Sequence, residues 1–240
     1  MELISALTTT GAIRDFADAP VDDATIAAVL DTARFAPSGG NRQGWQVVVV
    51  KDRGIRAGLR DLYLDGWYEY LAQRAAGLTP WSPLADRTAE SVAIEGASGV
   101  AERASPDGFA EQLDRVPVLL AILVDLGALA AVDRDLDRYT FAGAASVYPF
   151  AWSILLAARD HDLGGVITTM AIRREAEALE LLGAPPGHAL AALVALGHPT
   201  RTFTKLTRAP VESFTRIDRM DGPAFGGPAR GGSALESPRA

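Results

Sequence analysis

The amino-acid sequence predicts an α+β fold, in which helices and strands are mixed without strict alternation. Three β-branched or strongly apolar runs, at residues 45–50, 116–125 and 188–197, predict core strands. No GxGxxG motif follows any of these runs. Both observations argue against an alternating dinucleotide-binding fold and favour layers of helices packed on a sheet.

Apolar residues at helical spacing predict the helices between these strands. The first is expected at residues 3–8, and the second begins at 21–23, where an aspartate is available as N-cap. Others are expected over residues 55–75, 141–159 and 173–182, the last ended by Gly183. The run 141–159 is almost apolar all round, which indicates burial in the core or in a subunit interface.

Two segments carry little periodicity. Residues 77–114 contain prolines, serines and glycines and are interpreted as a mobile excursion that covers the site. The tail after Met220 is rich in Gly, Pro and Ser, so we expect one domain over residues 1–219 and a disordered or extended tail over 220–240. A short turn at 163–165 leads into an extended segment ending near Thr169.

Composition excludes several classes of protein. The chain has 240 residues, 48% of them hydrophobic, and a net charge of -7 without a basic block, which argues against nucleic-acid binding. The N-terminus shows no secretory signal, and the longest apolar stretch, 116–124, is too short to span a bilayer. We therefore expect a cytoplasmic protein that needs no membrane.

The side chains offer no obvious catalyst of their own. The chain has no cysteine and only three histidines, which lack metal-ligand spacing. GxSxG and Walker motifs are also absent. A bound cofactor is therefore the favoured source of any chemistry.

Three segments are suited to a cofactor. Residues 10–16 place Arg14 between apolar anchors, and residues 37–45 form a glycine-rich loop whose amides can bond a heterocycle's edge. Residues 205–210 add two cations within a phosphate-sized span. Each segment alone has an ordinary structural explanation, such as a turn or a solvated arginine.

Together, and in this order, the segments resemble the FMN-dependent nitroreductase family. The specific part is Ala-Pro-Ser-Gly-Gly-Asn-Arg-Gln at 36–43, followed by Gly-Trp and a strand. The likeness also takes in the Arg-x-Phe ending at Phe16, the Leu-Gly-Gly at 163–165, the Leu-Gly-His-Pro at 196–199 and the basic 205–210. It covers most of the chain except residues 68–114 and the tail.

The resemblance implies a central, mainly antiparallel sheet flanked by helices, and a homodimer with two FMN sites between its subunits. Arg14 matches the basic residue at the flavin pyrimidine edge, where a cation would stabilise the negative charge of the reduced ring. The other implied cofactor ligands are Thr10, Ser38, Asn41, Gln43, Ile167, Thr168, Thr169, Lys205 and Arg208.

Three features depart from the family pattern. Thr10 and Ala12 stand where many members have arginine and serine, which puts part of the phosphate affinity in doubt. Gly44 replaces the usual proline. Residues 68–114 match nothing in the family, although this region shapes the substrate pocket there.

The function implied is a ping-pong transfer of electrons from NADH or NADPH to a small acceptor such as a nitroaromatic or a quinone. Trp67, Tyr68 and Tyr70 are candidates for the acceptor pocket, although helix packing explains them equally well. Three alternatives remain open at this point: a flavin oxidase or dehydrogenase of a small metabolite, a non-catalytic FMN-storage protein, and an interaction protein without cofactor.

Overall fold

A four-stranded antiparallel sheet forms the centre of the chain's first unit. In the computed structural model, which describes residues 2–226, the strands are β1 (Trp45–Val49), β2 (Val118–Asp125), β3 (Gly164–Thr168) and β4 (His188–Gly197). Their order is β1-β2-β4-β3, and each neighbouring pair is antiparallel. The predicted core strands and the mainly antiparallel sheet are confirmed.

Helices cover both faces of the sheet, which explains why the central strands are apolar without alternation. Along β2, Leu120 and Ile122 face a cluster built with the helices at residues 23–33 and 148–158. Leu119 and Ala121 face the opposite cluster, built with the helix at residues 53–75. Because successive strand residues point to opposite faces, every position of a strand covered on both sides must be apolar.

The described helices follow the predicted order. Asp22 caps the second helix by accepting a hydrogen bond from the Thr25 amide at 2.7 Å, as the sequence predicts. The helices are α1 (Leu3–Thr9), α2 (Asp23–Ala33), α3 (Arg53–Ala75), α4 (Arg87–Ile94), α5 (Ala97–Ala101), α6 (Tyr148–Ala158), α7 (Glu175–Leu181) and α8 (Val211–Phe214).

Two of the predicted helices are shorter than expected. The run 141–159 contains a 3-10 turn (Ala142–Ser146) and then α6, which has 11 residues, so α3 with 23 residues is the longer helix. Pro149 lies in the first turn of α6, where a proline favours a helix start over continuation of an earlier helix. Likewise α7 follows a 3-10 turn (Met170–Arg174), and Gly183 ends it with φ +65°.

The predicted excursion at 77–114 contains α4, α5 and a 3-10 turn (Leu113–Arg115). Within residues 2–226, no helix combines the length and the apolar character needed to cross a membrane.

The chain divides into two compact units, of which the first ends at Thr204 and the second begins at Lys205. The described part of the second unit, up to residue 226, contains α8 and an antiparallel bridge between Arg216 and Ala224. Most of the expected tail, residues 227–240, lies outside the described residues, and the expected boundary at residue 219 stays a prediction.

The loop after β2 is fastened by a buried carboxylate. Asp133 is 3% exposed and accepts hydrogen bonds from the Phe141 amide at 2.8 Å, the Ala142 amide at 3.1 Å and the Arg138 guanidinium at 3.0 Å. The hydrogen bond from the Phe141 amide is the main cause of a lowered Asp133 pKa. The ionised carboxylate therefore stabilises this loop.

We expect Asp133→Asn to lower the melting temperature at pH 7, because the new amide N–H group faces donors instead of accepting from them. Since the folded pKa lies below its ordinary value of about 3.8, this stabilisation is complete above that pH and is lost as the pH falls through the folded pKa. Thermal unfolding at pH 7 and pH 3 should show the gap between variant and wild type closing in acid. An equal gap at both pH values would contradict the assignment.

Candidate functional site

The arginine-bearing segment runs along the free edge of β3. Ala12 forms a parallel bridge with Gly165, and the Ile13 amide donates to the Gly165 carbonyl at 2.9 Å. A Cβ on Gly164 would lie 2.8 Å from the Ile13 side chain. Gly164, the first glycine of the Gly-Gly pair, therefore permits this close approach.

Arg14 follows directly and is exposed. Among residues 2–226 it makes no hydrogen bond and no ion pair. It lies where two clefts of about 440 and 430 Å³ adjoin, the first between residues 14–20 and 107–117, the second between residues 12–15 and 200–203. An unpaired guanidinium at the mouth of two clefts is available to an anionic or electron-rich ligand.

The end of β3 lies beside this segment. Ile167, Thr168 and Thr169 are all partly exposed, and the Thr168 hydroxyl donates to the hydroxyl of Tyr63 at 3.2 Å. Arg14 exerts an electrostatic effect on Tyr63, so Arg14, Tyr63 and Thr168 form one neighbourhood. The structure thus brings Arg14 together with the predicted residues of the 167–169 segment.

Thr10 is placed differently. It is 5% exposed, and its hydroxyl has no hydrogen-bond partner among residues 2–226. The side chain is therefore enclosed within the protein in this conformation.

The glycine-rich loop at residues 38–43 has a defined shape. The Ser38 hydroxyl accepts from the Gln43 amide at 3.0 Å, and the Asn41 side-chain oxygen accepts from the Gln43 side chain at 3.1 Å. Gly40, Asn41 and Gln43 have φ values of 61°, 52° and 50°, and such positive φ angles favour glycine and asparagine. Ser38, Asn41 and Gln43 are thereby brought together in one turn.

The glycine at position 44, where the family pattern has proline, has a local explanation. A Cβ at this position would lie 2.6 Å from the Cβ of Ala128. The chain therefore packs closely at a point where a proline ring would not fit.

The loop and the arginine segment lie at opposite edges of the sheet. The loop leads into β1 at one edge, whereas Arg14 and Thr168 lie beside β3 at the other. With β2 and β4 between them, the two edges are three strand spacings apart, or about 14 Å. Within one chain, the structure does not bring these two groups together.

The remaining predicted ligands, Lys205 and Arg208, belong to the second unit. Both are exposed, and Arg208 donates to the neighbouring Thr207 carbonyl at 2.8 Å. Their participation in the site stays a prediction.

The predicted acceptor-pocket aromatics pack against other side chains. Trp67 stacks on Tyr70 at 5.5 Å between ring centroids, and Tyr70 contacts Trp81 at 6.2 Å. Tyr68 points elsewhere and donates to Glu111 at 3.0 Å; burial, then that hydrogen bond, raises the pKa of Tyr68 to about 12. In the described chain these three residues line neither cleft beside Arg14, so their contact with an acceptor stays a prediction.

Two residues of the site carry no sequence motif. Tyr63 is one of several aromatic residues on α3, and only the fold shows that its hydroxyl reaches Thr168. Ser146 accepts from the Gly39 amide at 3.0 Å and so supports the glycine-rich loop from 107 residues away. No local pattern could have revealed either contact.

Comparisons with known proteins bear on the family to which the chain belongs. The model of the nitroreductase family matches residues 8–198. An NADH dehydrogenase from Thermus thermophilus is 25% identical over 202 residues, which cover 83% of this chain and 88% of that protein. A relative from Archaeoglobus fulgidus is 32% identical over 65 residues, only 27% of this chain and 37% of that protein.

Among solved structures, an NADPH:FMN oxidoreductase from Vibrio harveyi in complex with NAD+ has a TM-score of 0.60. It is 20% identical, and the match covers 90% of this chain and 76% of that one, a likeness that shows a shared fold. The family match extends over most of the chain and includes all predicted site segments except residues 205–210. The chain therefore belongs to the nitroreductase family and is an oxidoreductase.

Proposed function

We propose that the protein is an FMN-dependent homodimer that transfers electrons from NADH or NADPH to a small organic acceptor such as a nitroaromatic or a quinone. The observation that carries this proposal is the division of the predicted flavin ligands between two edges of the sheet. A flat cofactor held between two protomers would meet Arg14 and Thr168 of one chain and the 38–43 loop of the other.

The residues present fit an FMN molecule. Arg14 has no ion-pair partner among residues 2–226, so its charge is available to an electron-rich ring edge. Gly39 and Gly40 carry no side chain, and among residues 2–226, apart from the two chain neighbours of Gly40, only Arg42 lies within 4 Å of a Cβ built on Gly40. The loop can therefore approach a ligand through its backbone. Solved structures of similar fold include an NADPH:FMN oxidoreductase and a BluB-like flavoprotein, which supports the choice of a flavin.

Each group of residues then has a physical task. Arg14 would stabilise negative charge at the ring's pyrimidine edge, and the backbone at 168–169 would orient the ring. Asn41 and Gln43 would position the ribityl side through their amides. FMN bound there would supply the two-electron redox chemistry that connects the nicotinamide donor with the acceptor in a ping-pong cycle. The protein needs no side-chain acid or base for this and contributes orientation and exclusion of water.

The clefts beside Arg14 favour turnover over flavin storage. In the single chain both open to the exterior, and with the partner protomer in place we expect them to leave room for a second ligand next to the proposed ring. A storage protein would instead enclose the ring. The alternative function, a flavin oxidase, would use the same site. It differs from the proposed reductase only in its electron donor.

The test is the visible spectrum of the purified, FMN-loaded protein before and after anaerobic addition of NADPH or NADH. We expect flavin bands that bleach with at least one donor and recover when a quinone is added. Bands that persist with both donors but bleach with an organic metabolite would support the oxidase. A protein that takes up no FMN at all would overturn the proposal.

A further inference from the structure

We propose that Tyr63 is a positioning residue of the flavin site, which holds the end of β3 in the orientation that the ring requires. This inference rests on the proposed function. Its basis is the hydrogen bond at 3.2 Å in which the hydroxyl of Thr168 donates to that of Tyr63. Neither residue needs to touch the acceptor for this effect.

Tyr63 is held rigidly enough to serve this purpose. It is 2% exposed and lies between two aromatic neighbours. Trp67 stacks on it with ring centroids 6.4 Å apart, and Phe109 meets it edge to face, also at 6.4 Å. Such packing fixes the ring, and with it the position of the hydroxyl.

The segment that Tyr63 contacts needs support. Thr168 is the last residue of β3 to pair with β4, opposite Leu193. Thr169 leaves the strand conformation, with φ -125° and ψ 5°, and opens a 3-10 turn. Beyond Thr168 the ladder of sheet hydrogen bonds therefore no longer fixes the backbone.

Helix α3 braces this segment at two points one turn apart. At the first point, the Tyr63 hydroxyl accepts a hydrogen bond from the Thr168 hydroxyl. The second is Gly66, where an added Cβ would lie 2.4 Å from the Met170 carbonyl oxygen. Because residues three apart lie on one face of a helix, the same face of α3 supports both ends of the 168–170 segment.

The surroundings of the phenol also connect it to Arg14. Burial raises the pKa of Tyr63, the hydrogen bond from Thr168 and the charge of Arg14 lower it, and the charge of Glu111 raises it. The hydroxyl thus lies within electrostatic reach of the cation proposed at the pyrimidine edge. Its hydrogen bond with Thr168 links α3 and β3.

The experiment compares the holoproteins of wild type, Tyr63→Phe and Thr168→Val, which remove the two partners of one hydrogen bond. We expect FMN to dissociate with a Kd about 3- to 10-fold higher in each variant, the range for one lost hydrogen bond. The midpoint potential of the bound flavin should shift by up to about 30 mV, which equals a tenfold change in a two-electron equilibrium. The double variant should be no worse than either single one, because both lose the same interaction.

Tyr148→Phe is the matched control. Its hydroxyl donates to the Ala191 carbonyl at 3.0 Å, so the variant also loses one tyrosine hydrogen bond, although Tyr148 is 39% exposed and Tyr63 only 2%. We expect it to keep the wild-type Kd and potential even if its melting temperature falls. If Tyr63→Phe leaves both quantities unchanged while wild type binds FMN, this inference is overturned and the proposed function stands. If wild type binds no FMN, both are overturned.

Discussion

A mixed dimer of two individually defective chains should bind one FMN with wild-type affinity. One chain carries Arg14→Ala, and the other carries Asn41→Gly together with Gln43→Gly. Glycine is chosen for the loop because both positions have positive φ angles, which alanine would adopt only at a cost. In the homodimers of either variant, every site has a defect.

The physical reason is the distance between the two sheet edges. If each site combines Arg14 of one protomer with the loop of its partner, the mixed dimer contains one doubly defective site and one intact site. If both groups came from the same chain, each site would keep one defect. Only the first arrangement restores binding, because only there do the undamaged Arg14 and the undamaged loop meet.

The measurement is FMN titration of the three dimers, with the mixed dimer isolated by two different affinity tags. Loss of a charge-assisted contact should raise the Kd of the Arg14→Ala homodimer by about 10- to 100-fold. The mixed dimer should show half the wild-type stoichiometry at the wild-type Kd. Mixed dimers that bind as poorly as both homodimers would contradict a shared site, and tagged wild-type chains co-expressed in the same way are the control.

Much of the fold could be predicted because its signals are local. The apolar run at 118–124, Val-Leu-Leu-Ala-Ile-Leu-Val, predicts a strand that is covered on both faces of the sheet. The N-cap at Asp22 and the stop at Gly183 are likewise readable from a few neighbouring residues. The start of α6 was misjudged because apolar character continues through residues 141–147, and Pro149 is the only local sign that the helix begins later.

The site was only partly predictable because its contacts join distant residues. The motifs pointed to Arg14, to the 38–43 loop and to the 167–169 segment, but no motif states that the loop lies at the opposite edge of the sheet. That separation follows from the strand order, which depends on pairing between residues far apart in sequence. The contacts of Tyr63 and Ser146 arise in the same way.

Gly165→Ala should be among the most destabilising single-methyl substitutions in the first unit. An added Cβ would lie 2.3 Å from the Ala195 carbonyl oxygen and 2.5 Å from a methyl group of Leu196. The first of these atoms belongs to the backbone of β4, in the middle of the sheet, and cannot move without breaking strand pairing. We expect a loss of about 3 kcal/mol, at the upper end for overpacking, and a melting temperature lower by about 6–12 °C.

The same substitution should also weaken FMN binding, because it acts on the residue that holds the arginine segment. Ile13, which precedes Arg14, donates its amide to the Gly165 carbonyl, so a displaced β3 displaces Arg14. Thermal unfolding without FMN and titration with FMN measure the two effects separately. Gly99→Ala is the control, since a Cβ there meets only the flexible end of Arg103 at 3.5 Å and lies within α5, where alanine is favoured over glycine. It should unfold at or slightly above the wild-type temperature. If the Gly165→Ala protein also unfolds at or above the wild-type temperature, the absence of a side chain at Gly165 is not required for the close approach of β3 to β4.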